Sequence, residues 1–422
     1  MPHQTAPHRP EQRSWLGLGD PRIMRLDRRA FLRAMAAVSV SSLLASCGRD
    51  AGPAPAPPGL GVRMVRFPEK TDLILLTDRP PQLETPLQFF RQDLTPNEAF
   101  FVRWHLAGIP QTVDLHSFRL QIHGHVERPL ELSMHDLRTR FTAASVVAVN
   151  QCSGNSRSLY EPRVPGGQWG HGAVGNARWT GVRLKDLLEH AGIKAGAVQV
   201  SFQGLDRPVQ PGTPAFIKAL DAPHALDGEV LVAYAMNDQP LPMLNGFPLR
   251  LVVPGWYATY WMKALNDITV LDHKFSGFWM DKAYRIPAAA NAQESPGQLA
   301  PETVPINRMS VRSLFVSPDP GAQVTRGEEC QIEGLALDGG AGIRRVEVSL
   351  DGGATWQDAA LDPVIGPYSW RRWRLHWLPQ MPGACRLLAR ATNQAGETQI
   401  PAQWNRSGYA RNVIEHLDLV VV

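Results

Sequence analysis

Cys152 follows the apolar run Ala144-Ser145-Val146-Val147-Ala148-Val149 and precedes the small polar residues Ser153-Gly154-Asn155. An apolar run broken by turn formers predicts a buried strand that delivers the thiol into a tight turn. A thiol held in this way offers three chemistries: a soft ligand for a metal, a nucleophile, or inert packing as a small apolar residue. Arg157 lies five residues on, and Arg163 and Arg178 follow in the same stretch. Cationic neighbours favour the thiolate. Gly154, Gly166, Gly167, Gly170, Gly172 and Gly175 fill the stretch between them, a composition that lets backbone approach a ligand closely.

Other chemistry-bearing residues sit on predicted strands. In Phe100-Phe101-Val102-Arg103-Trp104-His105-Leu106 the alternation puts Arg103 and His105 on one face and Val102 and Trp104 on the other. Short strands are predicted at 118–122 and 130–132, and helices at Ser133 to Arg140 and Arg183 to His190. The second helix has Leu184, Leu187 and Leu188 at spacings of three and four. Stronger strand signals run from Ala197 to Val270 (VQVSFQ, EVLVAYAM, LRLVVPG, DITVL), with Asp206, Asn245, Arg250, Tyr257, Tyr260 and Lys263 between them. Interspersed strands and helices without a strict βαβ repeat argue for an α+β fold. Residues 67–98 read as an extended arm lying on this domain, and the Ala-, Gln-, Gly- and Pro-rich stretch Ala288 to Pro305 reads as its boundary. Beyond it, short turn-separated strands with two Asp-Gly-Gly turns predict an all-β sandwich of immunoglobulin type. Cys330 and Cys385 fall on different strands there, as a disulfide or as a free pair.

The 422 residues suffice for two or three domains, and 44% hydrophobic with 19% charged is ordinary for a globular protein. The formal charge of +4 resides in Met1 to Cys47, where seven arginines face Glu11, Asp20 and Asp27; the remainder is near neutral. That distribution gives no basic surface for nucleic acid. Arg28-Arg29 followed by AMAAVSVSSLLAS predicts a twin-arginine export signal, too short at ~1.5 Å per residue to span a ~30 Å bilayer core. Leu44-Ala45-Ser46-Cys47 resembles a lipobox, with a lipid anchor at Cys47 as its consequence and cleavage near Ala45 as the alternative. A Pro/Ala/Gly tether follows in 48–66. The domain plan is therefore 1–47 signal, 48–66 tether, 67–300 main domain and 301–422 sandwich.

The motifs CSGNSRS, GAVGNARWTGVRL and PLRLVVPGWYATYWMK, in this order, resemble the molybdenum-cofactor domain of the sulfite oxidase family, most closely its bacterial periplasmic sulfite dehydrogenases; the resemblance runs from about Glu98 to the C-terminus. It implies a mixed molybdopterin-binding domain followed by a dimerisation sandwich, and Cys152 as the protein ligand of molybdenum. The FFVR-x-H segment implies Phe101, Val102, Arg103 and His105 along the cofactor pocket, with Asp206, Arg250 and Lys263 as further cofactor ligands. Asn245 stands where the animal enzymes commonly have histidine. Tyr284 is implied as the active-site tyrosine, Trp169 as a pocket wall, and Arg411, in GYARN, as an arginine supplied by the sandwich.

Oxygen-atom transfer with two electrons needs soft sulfur ligands, and the resemblance implies sulfite as the substrate. Sulfite is a dianion near neutral pH, for which guanidinium forks of the Arg103 and Arg157 kind are suited. The chain has no Cys-x-x-Cys or His-x-x-x-His for zinc and no Cys-x-x-Cys-His for covalent haem. An external c-type cytochrome is therefore expected as acceptor, with the chain periplasmic. The alternatives are a molybdenum-dependent sulfoxide reductase and a non-catalytic binding lipoprotein.

Overall fold

The computed structural model describes residues 63–422; the export signal, Cys47 and most of the tether lie outside the described residues. The first described strands are β1 (Met64–Arg66), β2 (Asp72–Asp78), β3 (Pro81–Glu84) and β4 (Val102–Arg103), which form one sheet in that order. The predicted arm is thus a sheet, and it is the sheet that carries Arg103. Its inward face, Leu73, Leu83, Val102 and Trp104, packs with Met243, Leu244 and Ala264. The period-two alternation of Leu83 through Val102 and Trp104 supplies the apolar side.

The main domain adds two five-stranded sheets. One has the order β10 (Ile217–Asp221), β9 (Gln199–Gly204), β14 (Leu265–Leu271), β5 (Leu120–Gly124), β6 (Leu130–Leu132). The other runs β12 (Gln239–Pro240), β11 (Leu231–Met236), β8 (Val174–Arg183), β7 (Ala143–Gln151), with β13 (Arg250–Val252) also on β11. Both predicted helices form, one residue inside their expected starts. Ser133 caps Met134–Thr139 by a reciprocal pair of bonds with Asp136, a capping box. Helix Leu184–Ala191 buries Leu184, Leu187, Leu188 and Ala191 and stops at Gly192, whose φ of 71° favours glycine.

The β7–β8 ladder positions the functional loop. These strands pair antiparallel up to Gln151 opposite Val174, and the Cys152 amide donates to the Ala173 carbonyl at 2.9 Å. Residues 152–173 are therefore one long hairpin loop closed at its base, with the cysteine as its first residue.

At the predicted boundary, β15 (Arg285–Pro287) pairs with β16 (Thr303–Pro305). The sandwich follows as two sheets. One is β17 (Arg312–Ser317), β19 (Cys330–Leu337), β23 (Arg371–Trp377), β22 (Ala360–Leu361). Its partner is β18 (Gln323–Val324), β25 (Glu415–Val421), β24 (Gly383–Asn393), β20 (Ile343–Ser349), β21 (Gln357–Asp358). Cys330 and Cys385 lie on opposite sheets as free thiols.

A buried ionic cluster joins the sandwich to the loop. Arg312 Nη2 donates to Glu415 at 2.7 Å and to the Ser156 hydroxyl at 2.6 Å, and Ser156 also bonds His171 Nδ1 at 2.7 Å. Ser156 has a φ of 65°, the left-handed region that a non-glycine residue occupies only with support. Burial alone would raise the Glu415 carboxyl, but Arg312, His171 and Arg411 outweigh it and hold it at about 2. Burial also pulls His171 down to about 4. Both groups have folded pKa values below their ordinary ones, so the unfolded chain binds more protons and stability falls as pH drops below about 6.5. Glu415→Gln leaves two buried guanidinium groups uncompensated; we expect a loss of roughly 3–5 kcal/mol in chemical denaturation at neutral pH, with a weaker acid dependence than wild type.

Candidate active site

Cys152 is 8% exposed and stands where a tight inner pocket meets a wider cleft. Arg103, Cys152 and Tyr284 line both. The predicted turn is present: the Asn155 amide donates to the Cys152 carbonyl at 3.0 Å.

The glycines of the loop make room for Arg157. A Cβ on Gly154 would fall 2.6 Å from its Nη2, so the guanidinium occupies the space that a side chain would fill. Arg157 donates to the carbonyls of Gly167 (3.3 Å) and Ser407 (3.2 Å) and lies 4.9 Å over the Tyr409 ring. Its Nε is buried with no hydrogen-bond partner among the described residues. Trp169, buried, meets Phe101 edge to face and walls the cleft. The loop is held from outside by Glu84, whose carboxylate accepts the amides of Gly170 (2.8 Å) and Gly172 (2.9 Å). Burial raises that carboxyl, while the two amides oppose the rise.

The inner pocket is cationic, and several of its polar atoms are unsatisfied. Arg250 and Lys263 line it, and burial pulls both well below their usual ranges; Arg250 pushes Lys263 further down while Asp206 pulls the other way. Arg250 donates to the Asn245 carbonyl and to Asn150 Oδ1 at 3.0 Å, and its Nε has no partner among the described residues. Asn150 Nδ2, Ser153 Oγ and Thr259 Oγ1, on the same lining, are also buried without partners. Buried polar atoms are ordinarily satisfied, so four orphans around buried cations describe a site for a polar anion. Among the described residues no three His, Cys, Asp or Glu side chains gather. A metal at Cys152 would take most of its ligands from a non-protein group. A phosphorylated pterin that brings its own sulfur ligands fits both properties.

Beside Cys152, His105 Nε2 and the Tyr284 hydroxyl are 2.5 Å apart. His105 stacks on Phe216 at 3.6 Å, and burial, then Arg103, Lys263 and Lys218, holds it well below the ordinary histidine range. It is therefore neutral near pH 7. Burial raises Tyr284, which stays a phenol.

Of the residues predicted from sequence, Cys152, Arg103, His105, Phe101, Asn245, Arg250, Lys263 and Tyr284 line the inner pocket, and Arg157 and Trp169 line the cleft. Val102 turns the other way, into the core of the first sheet. Asp206 is buried and acts on Lys263 from outside the lining. Arg411 is not in the pocket: it pairs with Glu415 at 3.1 Å, 8% exposed, because β25 places that carboxylate four residues on. The same segment instead brings Arg406, Ser407 and Tyr409 to the cleft. Tyr409, two residues before the predicted arginine, stacks on Tyr284 at 5.4 Å.

Residues 106–279 match the family described as oxidoreductase molybdopterin binding domain, and 303–416 match the Mo-co oxidoreductase dimerisation domain. Sulfite oxidase of Gallus gallus is 35% identical over 73% of this chain and 68% of its own. Mitochondrial sulfite oxidase of Mus musculus is 34% identical over 82% of this chain. The chain spans 65% of the length of that mouse enzyme and of its Rattus norvegicus counterpart. Among solved structures, the sulfane dehydrogenase SoxCD of Paracoccus pantotrophus shares the fold, with a TM-score of 0.70 and 24% identity over 95% of this chain and 97% of its own. With a cysteine on a cation-lined cavity, both family domains in order and a relative of this similarity, the chain belongs to the sulfite oxidase family of molybdopterin oxidoreductases.

Proposed function

We propose that the protein oxidises sulfite to sulfate and passes the electrons to an external c-type cytochrome in the periplasm. The observation that carries this reading is that Arg103 and Arg157 open onto the cleft beside Cys152 and form no ion pair among the described residues. Two unneutralised guanidinium groups at a cleft floor suit a small dianion. Sulfite oxidase is what the relatives of Gallus gallus and Mus musculus are called, which agrees with that charge.

Cys152 would hold the metal; Arg250, Lys263, Asn245, Thr259, Asn150 and Ser153 would hold the pterin and its phosphate. When bound, the molybdenum cofactor supplies oxygen-atom transfer and a two-electron sink. The chain's own residues do the rest. Arg103 and Arg157 bind and orient the anion, and Trp169 keeps water off one side. The His105 tautomer with a proton on Nε2 donates to Tyr284 Oη and frees the phenolic O–H to bond an anion in the cleft. Because His105 is held neutral by burial, this arrangement does not titrate across the physiological range.

Export, the Cys47 anchor and a homodimer through the sandwich complete the proposal. The first two rest on Arg28-Arg29 and Leu44-Ala45-Ser46-Cys47; the third rests on the dimerisation-domain match. The whole reading is tested by metal analysis of purified protein together with sulfite-dependent reduction of cytochrome c. Protein lacking molybdenum, or loaded protein inert toward sulfite, would reject it.

Cys152→Ser should fold and retain pterin, since the cations facing the pterin are untouched, but lose sulfite oxidation because a hydroxyl is a hard, weakly acidic substitute. Wild-type turnover in molybdenum-loaded Cys152→Ser would remove Cys152 as the ligand. Arg103→Met should raise KM for sulfite by roughly tenfold to a hundredfold, as expected for one hydrogen bond to a charged group. Arg103→Lys should recover only part, since an ammonium cannot fork; steady-state kinetics at matched molybdenum content decide between them, and unchanged KM in Arg103→Met excludes the role. Mass spectrometry of the exported protein should find diacylglycerol on Cys47, and an unmodified mature N-terminus beyond Cys47 would refute the anchor.

A further inference from the structure

Lys218 is a buried cation that the proposed chemistry leaves unused. It lies on β10, two residues after Phe216 and on the same face, so the pair that reaches His105 by stacking also brings an ammonium group under the site. Its side chain is fully buried. Nζ donates to one oxygen, the Trp279 carbonyl at 2.7 Å. Two aromatic faces supply the rest of its surroundings: the Tyr260 ring at 4.5 Å and the Tyr284 ring at 5.4 Å. From the elements packed against it, the titratable groups are Tyr260, Tyr284, His105 and Arg285; Asp221 acts on Tyr260. No carboxylate forms an ion pair with Lys218 among the described residues.

A lone buried ammonium group costs stability, and an apolar side chain of similar length would be better tolerated. Residues kept against stability are expected where function needs them. Elsewhere the chain satisfies its buried lysine: Lys70 donates to the carbonyls of Asn97 and Phe100 and to Asn245 Oδ1. Lys218 receives one such oxygen, and the face of the tyrosine that contacts the cleft.

We propose that Lys218 is a positioning residue, whose ammonium beneath the Tyr284 ring strengthens that phenol as a hydrogen-bond donor and adds positive charge under the bound anion. A cation on the face of a ring draws electron density from it, which makes the hydroxyl a better donor toward sulfite. This role rests on the reading of the cleft as an anion site. Burial, then Arg285, brings the Lys218 ammonium down to about 7, so the effect is present below that pH and is lost as pH rises through it. For stability the sign is the same as for any base depressed on folding: the cost of the buried charge is full below about 7 and shrinks as pH rises toward the ordinary lysine value of 10.5.

Molybdenum-loaded Lys218→Met and Lys218→Arg, as full chains, provide the test. Sulfite itself ionises near neutrality, so the quantity to compare is the ratio of wild-type to variant kcat/KM at each pH, in which the substrate's ionisation cancels. Near pH 6 the ratio for Lys218→Met should be roughly twofold to thirtyfold, the range of a desolvated cation–π contact, and should approach one above about pH 8. Lys218→Arg should restore activity and remove the decline. Lys218→Met should also melt above wild type at pH 7, by a margin that narrows toward pH 10, where a merely structural lysine would give a lower melting temperature. If the Met variant does not fold, Lys218→Gln carries the same comparison. A ratio that is pH-independent, or an Arg variant no better than Met, overturns the proposal. Inert wild-type protein instead rejects the reading of the site, and this role with it.

Discussion

Positive charge buried without its usual carboxylates is the constraint on which the rest of this structure depends. In the sandwich the chain pairs its arginines as proteins ordinarily do: Arg374 with Asp362, Arg386 with Asp418, Arg390 with Glu347. Around Cys152 the pattern reverses: among the described residues Arg103, Arg157, Arg250 and Lys218 form no ion pair, and Lys263 has only the Coulombic pull of Asp206. Desolvated cations repel one another, and each costs on the order of several kcal/mol even after the protein relaxes. A fold sustains that cost where something outside the chain supplies the negative charge. The inner pocket is lined by orphaned polar atoms and buried cations, and the adjoining cleft by two guanidinium groups without carboxylate partners among the described residues.

That arrangement requires a loop of 152–173 to hold one shape, and ordering so long a segment is entropically expensive. The β7–β8 ladder fixes its two ends. Glu84, from the first sheet, ties its second half through two amides. Arg312 and Glu415, from the sandwich, tie its first half through Ser156. Three regions distant in sequence thus converge on one hairpin loop, and the residue they support in a left-handed conformation lies directly before Arg157.

Much of this was legible in the chain. The apolar run to Val149 and the break at Ser153-Gly154 located the strand and the turn, because burial and turn chemistry are local properties. The alternation at 102–105 put Arg103 and His105 on the cavity side for the same reason. What escaped was set by long-range pairing. Residues 72–84 look like an arm because their strands find their last partner at Val102–Arg103, across a segment with no strand signal. Arg411, implied as a pocket residue by the family resemblance, is instead held by Glu415 four residues on. Lys218 left no signal in sequence: a lysine in FIKAL is ordinarily a solvated strand residue, and only the fold shows Trp279, Tyr260 and Tyr284 closing over it.

Tyr284 shows how completely the site is a product of assembly. It sits in the left-handed region at φ 59°, its ring is stacked on Tyr409 from the sandwich and approached by Lys218 from β10, and its hydroxyl meets His105 next to the first sheet. No single element holds it. A strained residue is kept only when its surroundings over-determine it, and here the over-determination includes a side chain from the domain matched to a dimerisation family. The sandwich is accordingly a wall of the site as well as a separate module: loosening its contact through Ser156 or Tyr409 would release the tyrosine and the second arginine together. The buried Arg312–Glu415 pair, remote from the cleft, therefore touches through Ser156 the same loop that carries Cys152 and Arg157.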